Sequence, residues 1–236
     1  DLTVWAYADS VDSLAALDSV APQRPGSLRI LIELGFPGGY HLEFTSGRQM
    51  PSLGVVNGID SRAGSSGVLY GRKLKEEARR FYGCSLGFGA QGTMLSNNGS
   101  FCDLDPEVKD QWGIPVLRFH WKWTEAELNL VKHQQQHIRD LLEAMGGKVS
   151  KAETDPAKAI RQGGTVIHEV GGAIMGADSA TSVTNQWSQA WDVKNLFLAD
   201  GAPFASTADK NPTLTIMALA WRMADHLLDE LKRQNL

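Results

Sequence analysis

The chain has 236 residues, 42% of them hydrophobic and 21% charged, and a formal net charge of −4. That is the makeup of a soluble globular protein of one large domain or two small ones. The acidic balance argues against a nucleic-acid binder, which carries a basic face, and against electrostatic attachment to a membrane.

No apolar run reaches the roughly 18 residues that a membrane-spanning helix needs, and no secretory leader is visible. The chain opens on Asp1 rather than Met, as a processed or excised piece would. Cys84 and Cys102 have neither disulfide-framework nor metal-site spacing and are expected as buried free thiols.

In chain order, Ser10–Val20 is predicted as a short helix with Leu14 and Leu17 on one face, ended by Pro22, Pro25 and Gly26. Leu28–Phe36 (LRILIELGF) reads as a strand, followed after Pro37-Gly38-Gly39 by a second at Tyr40–Phe44. Residues 47–67 are loop-rich, and Tyr70–Tyr82 is a charged helix. Ser85–Met94 reads as a strand interrupted by glycines, and Asn97-Asn98-Gly99 as a turn. Asp103–Trp112 is predicted as a polar turn or a single helical turn, and Pro115–Trp121 as a strand.

Thr124–Met145 carries the clearest helical pattern of the first half. Thr124 and Glu127 form a capping box, and Leu128, Val131, Ile138, Leu141, Leu142 and Met145 form the apolar stripe. Gly146-Gly147 stops it. Short strands at Ser182–Asn185 and Asn195–Leu198 follow, then a helix from Pro212 to Arg233 with Asn211 as its N-cap. The expected class is α+β, an antiparallel sheet flanked by helices.

Gly87-Phe88-Gly89-Ala90-Gln91-Gly92 matches G-x-G-x-x-G. A dinucleotide fingerprint also needs a helix opening at the last glycine and an acid about 20 residues on. Neither is present, so the run is expected to be a glycine-kinked strand.

His133 and His137 lie four apart, a metal-compatible spacing on a helix. No third ligand is evident beside them, so no metal site is expected and a solvated helix face is preferred. Arg118 and His120 share one face of a predicted strand and either reach a substrate pocket or pair with acids. Trp187, Gln189 and Trp191 offer surfaces that suit sugar rings, or simply pack.

The informative stretch is Gly164–Leu228, which contains His168-Glu169-Val170-Gly171-Gly172-Ala173-Ile174-Met175-Gly176 and then Ser182-Val183-Thr184-Asn185. It then runs through Asn195-Leu196-Phe197-Leu198-Ala199-Asp200-Gly201-Ala202 to Asn211-Pro212-Thr213-Leu214-Thr215-Ile216 at the last helix. Physically, Asp200-Gly201 ends an apolar strand where a ligand can approach backbone closely. Asn211-Pro212 opens a helix whose N-terminus favours electron-rich groups.

The order and spacing of these pieces resemble the C-terminal signature of the glucose–methanol–choline (GMC) flavin oxidoreductases, most like the bacterial sugar- or glycoside-oxidising members. The stretch Leu104-Asp105-Pro106 to Pro115 also looks like the family's substrate-domain strand, so the resemblance spans most of residues 80–236.

The resemblance implies a substrate-binding domain over residues 1–165 and a C-terminal segment over 166–236 that would complete a flavin-binding domain, whose N-terminal Rossmann part is absent. His168 falls on the catalytic histidine that takes the substrate hydroxyl proton, and Asn211 on its partner at the reacting oxygen. Asp200, Gly201, Ala202, Pro212 and Thr213 fall on positions that contact FAD, which accepts a hydride at its N5 from the carbinol carbon. Arg118, His120 and Trp187 are candidate substrate contacts. Gly172 departs from the threonine that many members carry.

The function expected is an FAD-dependent oxidoreductase acting on an alcohol or sugar CH–OH group. It would work with a flavin-binding companion chain or a missing N-terminal half, in bacterial cytoplasm or periplasm. A non-catalytic carbohydrate- or partner-binding module is the alternative.

Overall fold

A computed structural model describes residues 2–8, 34–36, 38–46, 70–83 and 85–235. The helix expected at Ser10–Val20, most of the strand expected at Leu28–Phe36, the loop at 47–67 and Cys84 lie outside the described residues. Leu34 and Gly35 form a turn. The strands are β1 (Leu2–Ala8), β2 (Tyr40–Ser46), β3 (Ser85–Gly92), β4 (Met94–Leu95), β5 (Phe101–Lys109), β6 (Pro115–His120), β7 (Gly147–Lys151) and β8 (Ser206–Thr207). The helices are α1 (Gly71–Phe81), α2 (Glu125–Ala144), α3 (Pro156–Ala159) and α4 (Thr213–Lys232).

The chain forms two compact units that interleave in sequence. One holds residues 1–91 and 128–160, the other 92–127 and 161–236, and the change at 127/128 falls within α2.

In the first unit the sheet order is β2-β3-β1-β7, with β1 antiparallel to both β3 and β7. The G-x-G-x-x-G run lies inside β3, as a strand was expected there, and its pairing with β1 runs from Ser85 to Ala90 without a register shift. Alternation sends Leu86, Phe88 and Ala90 to one face of β3, where they pack with Ile138, Leu142 and Met145 of α2. All six are buried, and they form the core of this unit.

The α2 stripe is turned from the expected one. Leu130 is buried, while Leu128 and Leu141 are half-buried. Gln134 and Gln135 are also buried, and the amide of Gln135 donates to the Glu153 carbonyl at 2.7 Å. The capping box forms: Glu127 accepts from the Thr124 backbone N–H at 2.7 Å and from its hydroxyl. Gly146, at φ 69°, ends the helix.

In the second unit, β5 and β6 form an antiparallel hairpin. This corrects the turn expected at Asp103–Trp112: residues 103–109 are strand, and only the Asp110-Gln111-Trp112-Gly113 connection turns. Asp110 builds that connection by accepting from Trp112 and Ile114 N–H, both at 2.9 Å, and Gly113 takes φ 82°. A bulge between Leu104 and Lys109 absorbs Pro106, and the Asp105 carboxylate accepts from Glu107 and Val108 N–H there.

The two short strands expected later reduce to isolated bridges, Met175 with Thr184, Thr184 with Ala190, and Gln189 with Phe197. Beside them runs α4, none of whose side chains is buried. Among the described residues no helix is long and apolar enough to cross a membrane.

Candidate functional site

Residues 171–175 and 201–203 are tied by main-chain hydrogen bonds. Gly171 N–H donates to the Gly201 carbonyl at 3.1 Å, Ala173 to Ala202 at 3.0 Å, and Met175 to Pro203 at 2.8 Å. Every second residue donates, as in a strand edge. On the other flank Val183 and Thr184 N–H donate to the Ile174 carbonyl, and Gly176 N–H to the Thr184 carbonyl at 2.9 Å.

Gly201 is the point of closest approach. A Cβ there would lie 2.8 Å from Val170 Cγ1 and 3.4 Å from Ile216 Cδ1. The segment carrying His168, the Asp200-Gly201-Ala202 bend and the first turn of α4 therefore meet over a residue with no side chain.

His168 itself sits at φ 85°, uncommon for a non-glycine residue, and is half-buried. Its ring makes no hydrogen bond among the described residues. Asp200 is exposed, and its Oδ1 accepts from Ala202 N–H at 2.8 Å, which fixes the Asp-Gly bend. Asn211 does not cap α4. Pro212 stands at the cap with helical φ −81° and ψ −13°, its carbonyl accepts from Ile216 N–H at 2.9 Å, and no side chain caps the helix. The first turn of α4 contains no acid, and Leu214 and Met217 on it are exposed. Its leading N–H groups are thus without the usual side-chain acceptor.

Trp187 stacks on His226 at 4.5 Å between centroids and 13° between planes. The Arg222 guanidinium lies 5.6 Å from the Trp187 ring centre and donates to the Gln186 carbonyl. With Met175, Gly176, Ala177, Asn185 and Trp191, Trp187 lines a cavity of about 420 Å³. Trp191 Nε1–H donates to Ser182 Oγ at 3.0 Å.

On the hairpin, Arg118 and His120 share a face with Asp103 and Phe101 of the facing strand. Arg118 holds the Asp103 carboxylate with two bonds, Nε at 2.9 Å and Nη2 at 2.6 Å, and His120 Nε2 lies 3.2 Å from its Oδ1. The Arg118 hydrogen bond is the largest of the influences that pull the Asp103 carboxyl down to about 2. Phe101 stacks on His120 at 4.1 Å. Asp103 was missed in the sequence. The signal for it was two basic groups at alternate positions of β6, which call for an acid on the partner strand.

The His133–His137 face of α2 is not the solvated face expected. Both rings are half-buried, and both Nδ1 atoms lie 2.8 Å from the Tyr40 hydroxyl. Burial raises the Tyr40 phenol to about 12 and, with the neighbouring His137, lowers His133. Cys102 is a half-buried free thiol. Among the described residues no three His, Cys, Asp or Glu side chains converge for a metal ion.

The sequence profile of the family described as GMC oxidoreductase matches residues 98–220, just over half of the chain. The fructose dehydrogenase large subunit of Gluconobacter japonicus is 34% identical over 177 residues, covering 74% of this chain and 31% of that protein. The gluconate 2-dehydrogenase flavoprotein of Pantoea cypripedii is 28% identical over 177 residues, covering 74% and 28%. The 2-methyl-1,2-propanediol dehydrogenase of Mycolicibacterium austroafricanum is 36% identical over 124 residues, covering 52% and 22%. The chain thus spans less than a third of the length of each of these relatives. The matched residues include the tied segments 171–175 and 201–203 and the start of α4, and with them the chain belongs to the GMC oxidoreductase family.

Proposed function

We propose that this chain is the substrate-binding and catalytic C-terminal part of an FAD-dependent oxidoreductase acting on a CH–OH group of an alcohol or sugar. Residues 1–165 would serve the substrate and 166–236 the chemistry. The observation that carries the reading is the meeting of the His168 segment, the Asp200-Gly201-Ala202 bend and the first turn of α4 at Gly201. The similarity to sugar and alcohol dehydrogenases supports the substrate class.

The residues present fit one side of a flavin. An uncapped helix start without acids suits an electron-rich ring edge, and the exposed Leu214 and Met217 suit its apolar face. Asp200, Gly201, Ala202, Pro212 and Thr213 would hold FAD. When bound, FAD supplies the acceptor for the hydride of the carbinol carbon. His168 takes the hydroxyl proton as general base, its ring unencumbered by other hydrogen bonds among the described residues. The Asn211 amide, not used in capping, hydrogen-bonds the substrate oxygen. Arg118, His120 and Trp187 would orient the rest of the substrate. Asp103 holds Arg118 and His120 in place.

The remainder of the flavin site would come from a companion chain or from further residues of the same protein. The test is the flavin-loaded assembly isolated with this chain. His168→Ala is expected to keep the flavin absorbance and lose its bleaching by sugar or alcohol. Bleaching at the wild-type rate in His168→Ala removes the catalytic assignment. A chain that binds carbohydrate but never acquires flavin is a non-catalytic module instead.

A further inference from the structure

His133 and His137 project from adjacent turns of α2, and the fold supplies a third donor from 93 and 97 residues away. Tyr40, the first residue of β2, places its hydroxyl oxygen 2.8 Å from Nδ1 of each ring. The three rings pack edge to face, with centroids 5.7 Å, 6.0 Å and 6.3 Å apart, and Phe36 lies 5.6 Å from His133. We propose that Tyr40, His133 and His137 form a binding site for a divalent late transition-metal ion, with copper(II) held tightest.

The donor set selects the ion. Two imidazoles with one phenolic oxygen suit copper, nickel, zinc or iron, and copper(II) heads the affinity order of the divalent ions. Calcium and magnesium call for carboxylate and carbonyl oxygens, which this trio lacks. The spacing fits as well. Bonds near 2.0 Å set neighbouring ligands at right angles about 2.8 Å apart, the separation found on both sides of the Tyr40 oxygen. The remaining coordination positions fall to water. Both histidines come from one helix and the tyrosine from the strand start, so the site is held by regular structure rather than by a loop.

The proton balance is simple. Without metal, the phenol O–H donates to one Nδ1 and the other ring donates its Nδ1–H to the phenol oxygen. On binding, the phenol proton leaves to solvent, and the ring that held Nδ1–H carries its proton on Nε2. One proton is released per ion, and nothing is oxidised or reduced.

The experiment is titration of the full chain with copper(II) chloride at neutral pH, followed by visible absorption and calorimetry in buffers of different ionisation enthalpy. The expected result is one equivalent bound, a phenolate-to-copper charge-transfer band, and about one proton released per ion. Tyr40→Phe, which keeps the ring packing, should lose the band and bind at least about tenfold more weakly, as should His133→Gln and His137→Gln. A wild-type titration without the band overturns the proposal whatever the variants do. So does a Tyr40→Phe chain of unchanged affinity, and the trio is then a hydrogen-bonded clasp between β2 and α2. No flavin or substrate enters the measurement.

Discussion

Gly201→Ala tests whether the candidate site is assembled by close packing at one residue. Gly201 is buried and lies outside the left-handed backbone region, so alanine's backbone preference does not oppose the change. Only space opposes it: the new methyl would stand 2.8 Å from Val170 Cγ1 and 3.4 Å from Ile216 Cδ1. Overpacking of this kind costs about 1–3 kcal/mol, which for a chain of this size lowers Tm by about 2–12 °C. Val170→Ala alone removes two methyl groups from a half-buried side chain and costs about 1 kcal/mol. In the double variant the Gly201→Ala methyl occupies the space that Val170 vacates. The two changes should therefore fall short of additivity by about 1 kcal/mol or more. Urea unfolding of the four chains, followed by circular dichroism, gives the cycle. Additivity within about 0.5 kcal/mol would mean that Val170 and Gly201 do not touch, and the meeting of the segments at Gly201 would fall with it.

Three further outcomes follow from the same fold. His168→Gly relieves a side chain held at φ 85°. The left-handed penalty of about 1–2 kcal/mol, less about 0.5–1 kcal/mol for glycine's freedom in the unfolded chain, leaves a gain of up to about 1.5 kcal/mol. His168→Ala should show no such gain in denaturant midpoint, and equal midpoints for the two would count against the strain. Ile138→Ala, at a fully buried core position, should cost about 2–5 kcal/mol in urea unfolding, and a loss well under 1 kcal/mol would place the core elsewhere. Asp103, lowered from 3.8 to about 2 chiefly by Arg118, contributes stability that is present above 3.8 and lost as pH falls to about 2. Asp103→Asn should flatten that acid limb of the stability curve, and an unchanged limb would show that the Arg118 pair contributes nothing.

Local rules carried the elements whose signals sit in neighbouring residues. Thr124 and Glu127 cap α2 as their spacing demands, and the glycine-rich β3 forms where its pattern placed it. The errors came where a distant partner decides. Asp103, Asp105, Pro106 and Glu107 are poor strand formers taken alone. They enter β5 because Arg118 and His120 face Asp103 across the hairpin and because a bulge absorbs Pro106. Asn211 has the composition of a cap, but Pro212 already takes helical angles, and the amide is left outside. The His133–His137 pair was legible, whereas Tyr40 was not, since no periodicity links a strand start to a helix 93 residues later. For the candidate site, the order of residues 168–212 named the segments, and their packing at Gly201 was legible only in the fold.

The ties between 171–175 and 201–203 are made by peptide groups, and this has an evolutionary consequence. A register written in the main chain does not depend on which side chains project from it. Gly172 illustrates the freedom: a Cβ there would meet nothing within 4 Å, so the position has room for a side chain. Selection can therefore exchange the side chains on these segments one at a time while the pairing of Gly171 with Gly201 is inherited unchanged. A frame of that kind lets related enzymes drift from one hydroxyl-bearing molecule to another without rebuilding the bend on which they turn.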